Sequence, residues 1–148
     1  MMIQACRMRH SGWPTILCID DDPQIPESIG LRLNQYEVNV LSACHGMHGF
    51  WLAMTNRPQL VITDINMPQG SGDYVVDCLR SNSDTREIPV IVLTGSREPQ
   101  IAGRMHHMGV EEFLVKPVHF DKLRAAIVRY VPLKERDWNE VPTMAGRK

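Results

Sequence analysis

Five short apolar runs recur along the chain about every thirty residues, the repeat length of a strand–helix–strand unit. They occupy residues 15–19, 38–43, 60–64, 88–94 and 112–115. The second run is mixed enough to lie near a sheet edge. The others are continuous in character, so both faces of each strand must be covered. Strands of this kind separated by helical segments fold as a parallel sheet with helices on both sides, joined by right-handed crossovers.

The intervening segments carry helical spacing. Ile25, Ile29, Leu31 and Leu33 mark a first helix ending near Asn34. Its start is expected at Pro26, because a proline deeper in a helix lacks a needed N–H. A second helix runs from Gly46 to Asn56, closed by Arg57-Pro58. Val75, Val76 and Leu79 face inward from a third, which begins near Gly72 and ends in the polar stretch 81–84. A fourth opens at Ser96-Arg97-Glu98-Pro99 and closes on Gly109. With Gly103 inside it and few strong helix formers, it is expected to be the least stable. The last carries Phe120, Leu123, Ile127 and Tyr130. Residues 1–13 read as a loose arm, 14–131 as the folded domain, and 132–148 as a tail or the start of a linker.

A chain of 148 residues is one domain with room for a sizeable core. The net charge of −1 gives no global attraction to nucleic acid or anionic membrane. Cys6, Cys18, Cys44 and Cys78 form no C-x-x-C pair and have no histidine at zinc-ligand spacing, the pattern of reduced thiols. No secretory signal precedes the first strand, and no apolar run reaches membrane-span length. A cytoplasmic protein that binds neither nucleic acid nor membrane directly is expected.

The polar residues collect at the carboxyl ends of the strands. Asp20 and Asp21 follow the first run, Asp64 closes the third, Thr94 closes the fourth, and Lys116 follows the fifth. Open parallel α/β sheets bind ligands at that edge, where the strand order reverses. Singly, each residue has an ordinary explanation: helix-start acids, a strand-end turn, a helix-capping Thr-Gly, a lysine before a proline. Their coincidence at one edge has none. Carboxylates about 4–5 Å apart repel by roughly 4 kcal/mol per pair at an effective dielectric near 20, so the group needs a cation. Lys116 offers one charge, and an all-oxygen set completed by water and phosphate suits Mg²⁺. Lys116 and Mg²⁺ would neutralise an incoming phosphoryl group while Thr94 donates to one of its oxygens. Asp64 is then the attacking carboxylate, and the product is an aspartyl phosphate. Gly95 and the Gly70-Ser71-Gly72 loop are expected to leave room for a bulky donor.

Residues 14–131 resemble the receiver domain of two-component response regulators. The resemblance rests on Ile19-Asp20-Asp21-Asp22-Pro23, on Thr63-Asp64-Ile65-Asn66-Met67-Pro68 with Gly72, on Ile88-Pro89-Val90-Ile91-Val92-Leu93-Thr94, and on Phe113-Leu114-Val115-Lys116-Pro117. It implies a flavodoxin-like, doubly wound (βα)5 fold with sheet order 2-1-3-4-5. It also implies that a phosphohistidine of a sensor kinase or phosphotransfer protein modifies Asp64, the chain being a phosphoacceptor and not an enzyme. Asp20 and Asp21 become the metal pair, Asp21 binding Mg²⁺ directly and Asp20 largely through water. Asp64 and the Asn66 carbonyl complete the protein ligands. Lys116 contacts the phosphoryl group ahead of a cis bond to Pro117. Thr94 and Phe113 take the switch positions, and Asn66 and Ser96 the positions that tune phosphoryl lifetime. The surface of the fourth helix, fifth strand and fifth helix would change on phosphorylation to meet a protein target, an effector domain or a second copy.

Several residues depart from the family pattern. Gly95 replaces the usual Ala, Phe113 the common Tyr, Gly70 and Gly103 add local freedom, and His119 is a poor helix cap. None removes an essential group. The competing reading is a haloacid-dehalogenase-type phosphatase with Asp20 as nucleophile, which leaves Asp64 without a role. His106-His107 and Trp138 read as exposed helix positions and an unstructured tail, and residues 132–148 are too few for an effector domain.

Overall fold

The apolar runs become five parallel strands in a computed structural model that describes residues 9–67, 71–96 and 98–139. In chain order the elements are β1 (Thr15–Ile19), α1 (Gln24–Leu33), β2 (Asn39–Ala43), α2 (Gly46–Asn56), β3 (Leu60–Thr63), α3 (Gly72–Ser81), β4 (Val90–Thr94), α4 (Pro99–His107), β5 (Glu112–Val115) and α5 (Phe120–Ile127). The sheet order is β2-β1-β3-β4-β5, as expected, with the mixed strand β2 at an edge. Pleating splits each central strand between two cores. Ile16 and Cys18 of β1 join the layer of α1 and α5, while Leu17 and Ile19 join the layer of α2, α3 and α4. Among the described residues no helix is long and apolar enough to cross a membrane.

Local chemistry closes the helices where the sequence indicates. Arg57, ahead of Pro58, adopts a left-handed conformation (φ 45°), and its N–H donates to the Ala53 carbonyl. At the end of α4, Gly109 has φ 83°, its N–H donates to His106 O, and the Val110 N–H reaches back to Met105 O. These two bonds form a Schellman motif, and Val110 packs in the same cluster as Met105.

Three expectations need correction. First, α1 begins at Gln24 and not at Pro26. Pro26 is its third residue, where an N–H has no partner within the helix, and the Asp22 carbonyl is taken instead by the Ile25 N–H at 3.1 Å. Second, α5 ends at Ile127, so Tyr130 lies in the turn beyond it. Third, the terminal segments are docked wherever they are described. The side chain of Asn39, at the start of β2, accepts from the His10 N–H and donates to the His10 and Trp13 carbonyls. The Glu37 N–H donates to Lys134 O and the Arg136 N–H to Gln35 O, around an antiparallel bridge between Tyr36 and Glu135. The Arg136 guanidinium sits 5.2 Å from the Trp13 ring and 4.7 Å from the Trp138 ring, so the segment after α5 meets the one before β1 by cation–π contact. A single bridge and one cation between two rings leave no period to read.

Candidate functional site

Register sets the site. Ile19 of β1 pairs with Thr63 of β3, so the next residue on each strand is an aspartate and the two lie side by side. Main-chain bonds extend the ladder past the strand ends: Asp20 N–H to Ala43 O and Asp64 N–H to Ile19 O, both 3.0 Å. On the other side Thr94 pairs with Val115, and the Lys116 N–H donates to Thr94 O at 2.7 Å. The chain leaves β1 toward β2 on one side and reaches β3 on the other, so Asp20 and Asp64 flank the topological switch point.

The two buried carboxylates are held alike. Asp20 and Asp64 are 3% and 8% exposed. Oδ1 of Asp20 accepts the Asp22 N–H at 2.9 Å, and Oδ1 of Asp64 accepts the Ile65 N–H at 2.7 Å. Each Oδ2 faces Lys116, whose Nζ is 2.7 Å from Asp20 and 3.5 Å from Asp64. The Asp20 contact is a strong charge-assisted bond and the Asp64 contact a weak one, so Asp64 Oδ2 is the less engaged oxygen. Burial pushes the Asp20 carboxyl above its ordinary pKa, against the opposing pull of Lys116. Burial also works against the Lys116 charge, but the Asp20 hydrogen bond and the charges of Asp20 and Asp64 lift its pKa above the usual value. Lys116 is a fixed cation at neutral pH.

Asp21, exposed, completes a group of three carboxylates whose oxygens lie within 4.8 Å of one another. Lys116 neutralises one of those three charges. The remaining negative charge, on oxygen donors alone, fits a hard divalent cation. Asn66 is exposed beside the buried Ile65, and among the described residues no donor takes its carbonyl.

The other expected site residues fall at the same edge or next to it. Thr94 is wholly buried, and its Oγ accepts the Ser96 N–H at 3.3 Å. Phe113 is half-buried on β5 and packs against the α2–α3–α4 layer. The Lys116–Pro117 peptide is cis. A Cβ at Gly95 would meet nothing within 4 Å, so the space expected there exists. Gly72 is a correction. It does not leave room for a donor; a Cβ there would lie 2.7 Å from Ile65 Cα and closer still to the Asp64 carbonyl oxygen. Its N–H donates to Ile65 O at 2.8 Å, seating α3 directly on the backbone of the Asp64 turn. Pro68 and Gly70 lie outside the described residues.

Sequence reading missed two supports. The wholly buried Thr63 donates its hydroxyl to the Asp64 carbonyl oxygen at 2.9 Å. Arg80 on α3 donates to the carbonyls of Arg86, Ile88 and Gly109 and pairs with Glu111, which accepts the Val90 N–H. A hydroxyl inside an apolar run signalled the first; nothing local signals the second.

The geometry matches known proteins over most of the chain. Residues 16–128 match the family model described as the response regulator receiver domain. The DNA-binding dual master transcriptional regulator RpaA of Synechocystis is 32% identical over 77% of this chain and 47% of its own length. Hybrid signal transduction histidine kinase D of Dictyostelium discoideum is 30% identical over 82% of this chain but 8% of its own. The chain thus spans half or less of these relatives. Among solved structures, the Vibrio cholerae chemotaxis protein CheY4 superposes with TM-score 0.75 and 25% identity, covering 80% of this chain and 99% of that one. A response regulator receiver domain protein from Clostridium thermocellum gives 0.73 and 31%, covering 80% and 94%. The paired aspartates, the bridging lysine and these matches lead to one conclusion: the chain belongs to the response regulator receiver domain family, the phosphoacceptor signalling domains of two-component systems.

Proposed function

We propose that Asp64 accepts a phosphoryl group from a phosphohistidine of a sensor kinase or phosphotransfer protein in the cytoplasm. The observation that carries this reading is Lys116 Nζ, set between Asp20 and Asp64 with its shorter contact to Asp20. That arrangement leaves Asp64 Oδ2 as the nucleophile. An oxygen–phosphorus bond forms there as the nitrogen–phosphorus bond of the donor breaks and its electron pair returns to the imidazole.

Asp20, Asp21, Asp64 and the Asn66 carbonyl are the residues that would hold Mg²⁺, which supplies charge neutralisation for the phosphoryl oxygens. Lys116 moves from Asp20 to a phosphoryl oxygen. The Thr94 hydroxyl turns to donate to another, giving up its bond from the Ser96 N–H. Phe113 turns into the space this opens, and the surface of α4, β5 and α5 changes for a downstream target, an effector domain or a second copy. Asn66 and Ser96 border the phosphoryl group and tune its lifetime.

The test is labelling with a small acyl phosphate and Mg²⁺, with the modified residue located by mass spectrometry. One acid-labile phosphate on Asp64, absent from Asp64→Asn, is the expected outcome. Phosphate on Asp20, or rapid turnover of a phosphomonoester, would overturn the reading in favour of a phosphatase.

A further inference from the structure

Among the described residues, the helix next to the site is fully buried near one end only. Met105 is the one residue of α4 that is fully buried, near its C-terminus. The Schellman turn at Gly109 and the Arg80 bond to the Gly109 carbonyl (2.8 Å) secure that same end. Toward its N-terminus α4 buries nothing completely, and Glu98 provides no side-chain cap.

Across from it, α3 is buried along its length. Four of its residues are buried, and Gly72 is pressed onto the backbone of Asp64 and Ile65. Among the described residues, one charged contact joins the two helices: Arg104 of α4 to Asp73 in the first turn of α3, N–O 2.8 Å. Among the described residues the Oδ1 of Asp73 is buried without a hydrogen-bond partner, so Arg104 is the cation that compensates this carboxylate.

We propose that the Asp73–Arg104 pair is a latch that positions α4 in the unphosphorylated protein and thereby sets how readily Asp64 is phosphorylated. The second half of this statement rests on the phosphoacceptor reading above. When Thr94 releases the Ser96 N–H, the β4–α4 connection shifts and α4 turns about its buried Met105. Arg104, the exposed neighbour of that pivot, turns with the helix and leaves Asp73. A contact present in one state and absent from the other biases the equilibrium by its own strength. For a partly exposed pair that is a few-fold. Both residues are positioning residues and neither touches the phosphoryl group.

The experiment uses the full chain and two readouts. Amide hydrogen exchange across residues 98–107 of the unmodified protein should accelerate about two- to five-fold in Arg104→Gln and in Asp73→Asn. The double variant should be no faster than either single one, and Arg104→Lys should restore part of the protection. Labelling of Asp64 by the acyl phosphate should speed up by a similar factor in the same variants. Unchanged exchange, or effects that simply add, overturns the latch. Faster exchange with unaltered labelling overturns its control of the site. A wild-type protein that takes no label on Asp64 sinks the phosphoacceptor reading instead, and the exchange arm still decides the latch.

Discussion

Helices α3 and α4 lie in the same layer, are of similar length and flank the same sheet edge, yet they are built differently. Four residues bury α3 along its length, and a serine caps it through the Tyr74 N–H. One fully buried methionine, the partly buried Ile101 and a C-terminal turn hold α4. A phosphorylation switch needs this inequality. On the proposed function, one helix would keep Asp64 in place while its neighbour responds, and apolar burial would decide which is which.

The largest test of this contrast is in the core. Leu79→Ala, in α3, should cost about 2–5 kcal/mol, and Met105→Ala, at the anchor of α4, about the same, since both side chains are wholly buried. Ile101→Ala, in the partly buried first turn of α4, should cost about 1 kcal/mol, well below either. Denaturant midpoints measure all three. An Ile101 cost equal to that of Leu79 would break the comparison.

The glycines provide the next. Gly72→Ala forces a methyl against the Asp64 turn and should cost about 1–3 kcal/mol, together with most of the acyl phosphate labelling. Gly103→Ala meets nothing within 4 Å and should stabilise by about 1 kcal/mol through helix propensity alone. Opposite signs from the same substitution in neighbouring helices would sharpen the contrast. Native-state hydrogen exchange should likewise find the N-terminal half of α4 opening at a lower free energy than α3.

A titration separates both helices from the sheet beneath them. Burial pushes the Cys18 thiol up to about 12 from the ordinary 9.0. The unfolded chain loses this proton first, so stability should fall as pH rises from about 9 toward 12. The raised Lys116 works in the same direction above 10.5, where the unfolded lysine releases its proton before the folded one does. Unfolding midpoints between pH 8 and 11 measure the decline, and Cys18→Ala should flatten its first part. A decline that persists in Cys18→Ala below pH 10.5 would assign it elsewhere.

The outcome followed how local each signal was. The five runs, the polar residues at their carboxyl ends and the closing residues Arg57 and Gly109 act within a few positions of themselves, and their elements appear where expected. The start of α1 was misplaced because a helix tolerates proline at its third position as well as its first. The contacts of residues 9–13 and 132–139 left no local signal because they come from Asn39 and Arg136, which reach partners far away in the sequence; residues 1–8 and 140–148 lie outside the described residues.

The sequence by itself determined the topology and the group at the sheet edge, because strand patterning and strand ends are properties of neighbouring residues. Only the tertiary structure decided that Lys116 sits nearer Asp20 than Asp64, that Gly72 is a seat for α3 and not a clearance, and that α3 is buried along its length where α4 buries one residue. Each of these depends on how closely elements remote in the chain approach once packed, and no spacing along the sequence encodes that distance.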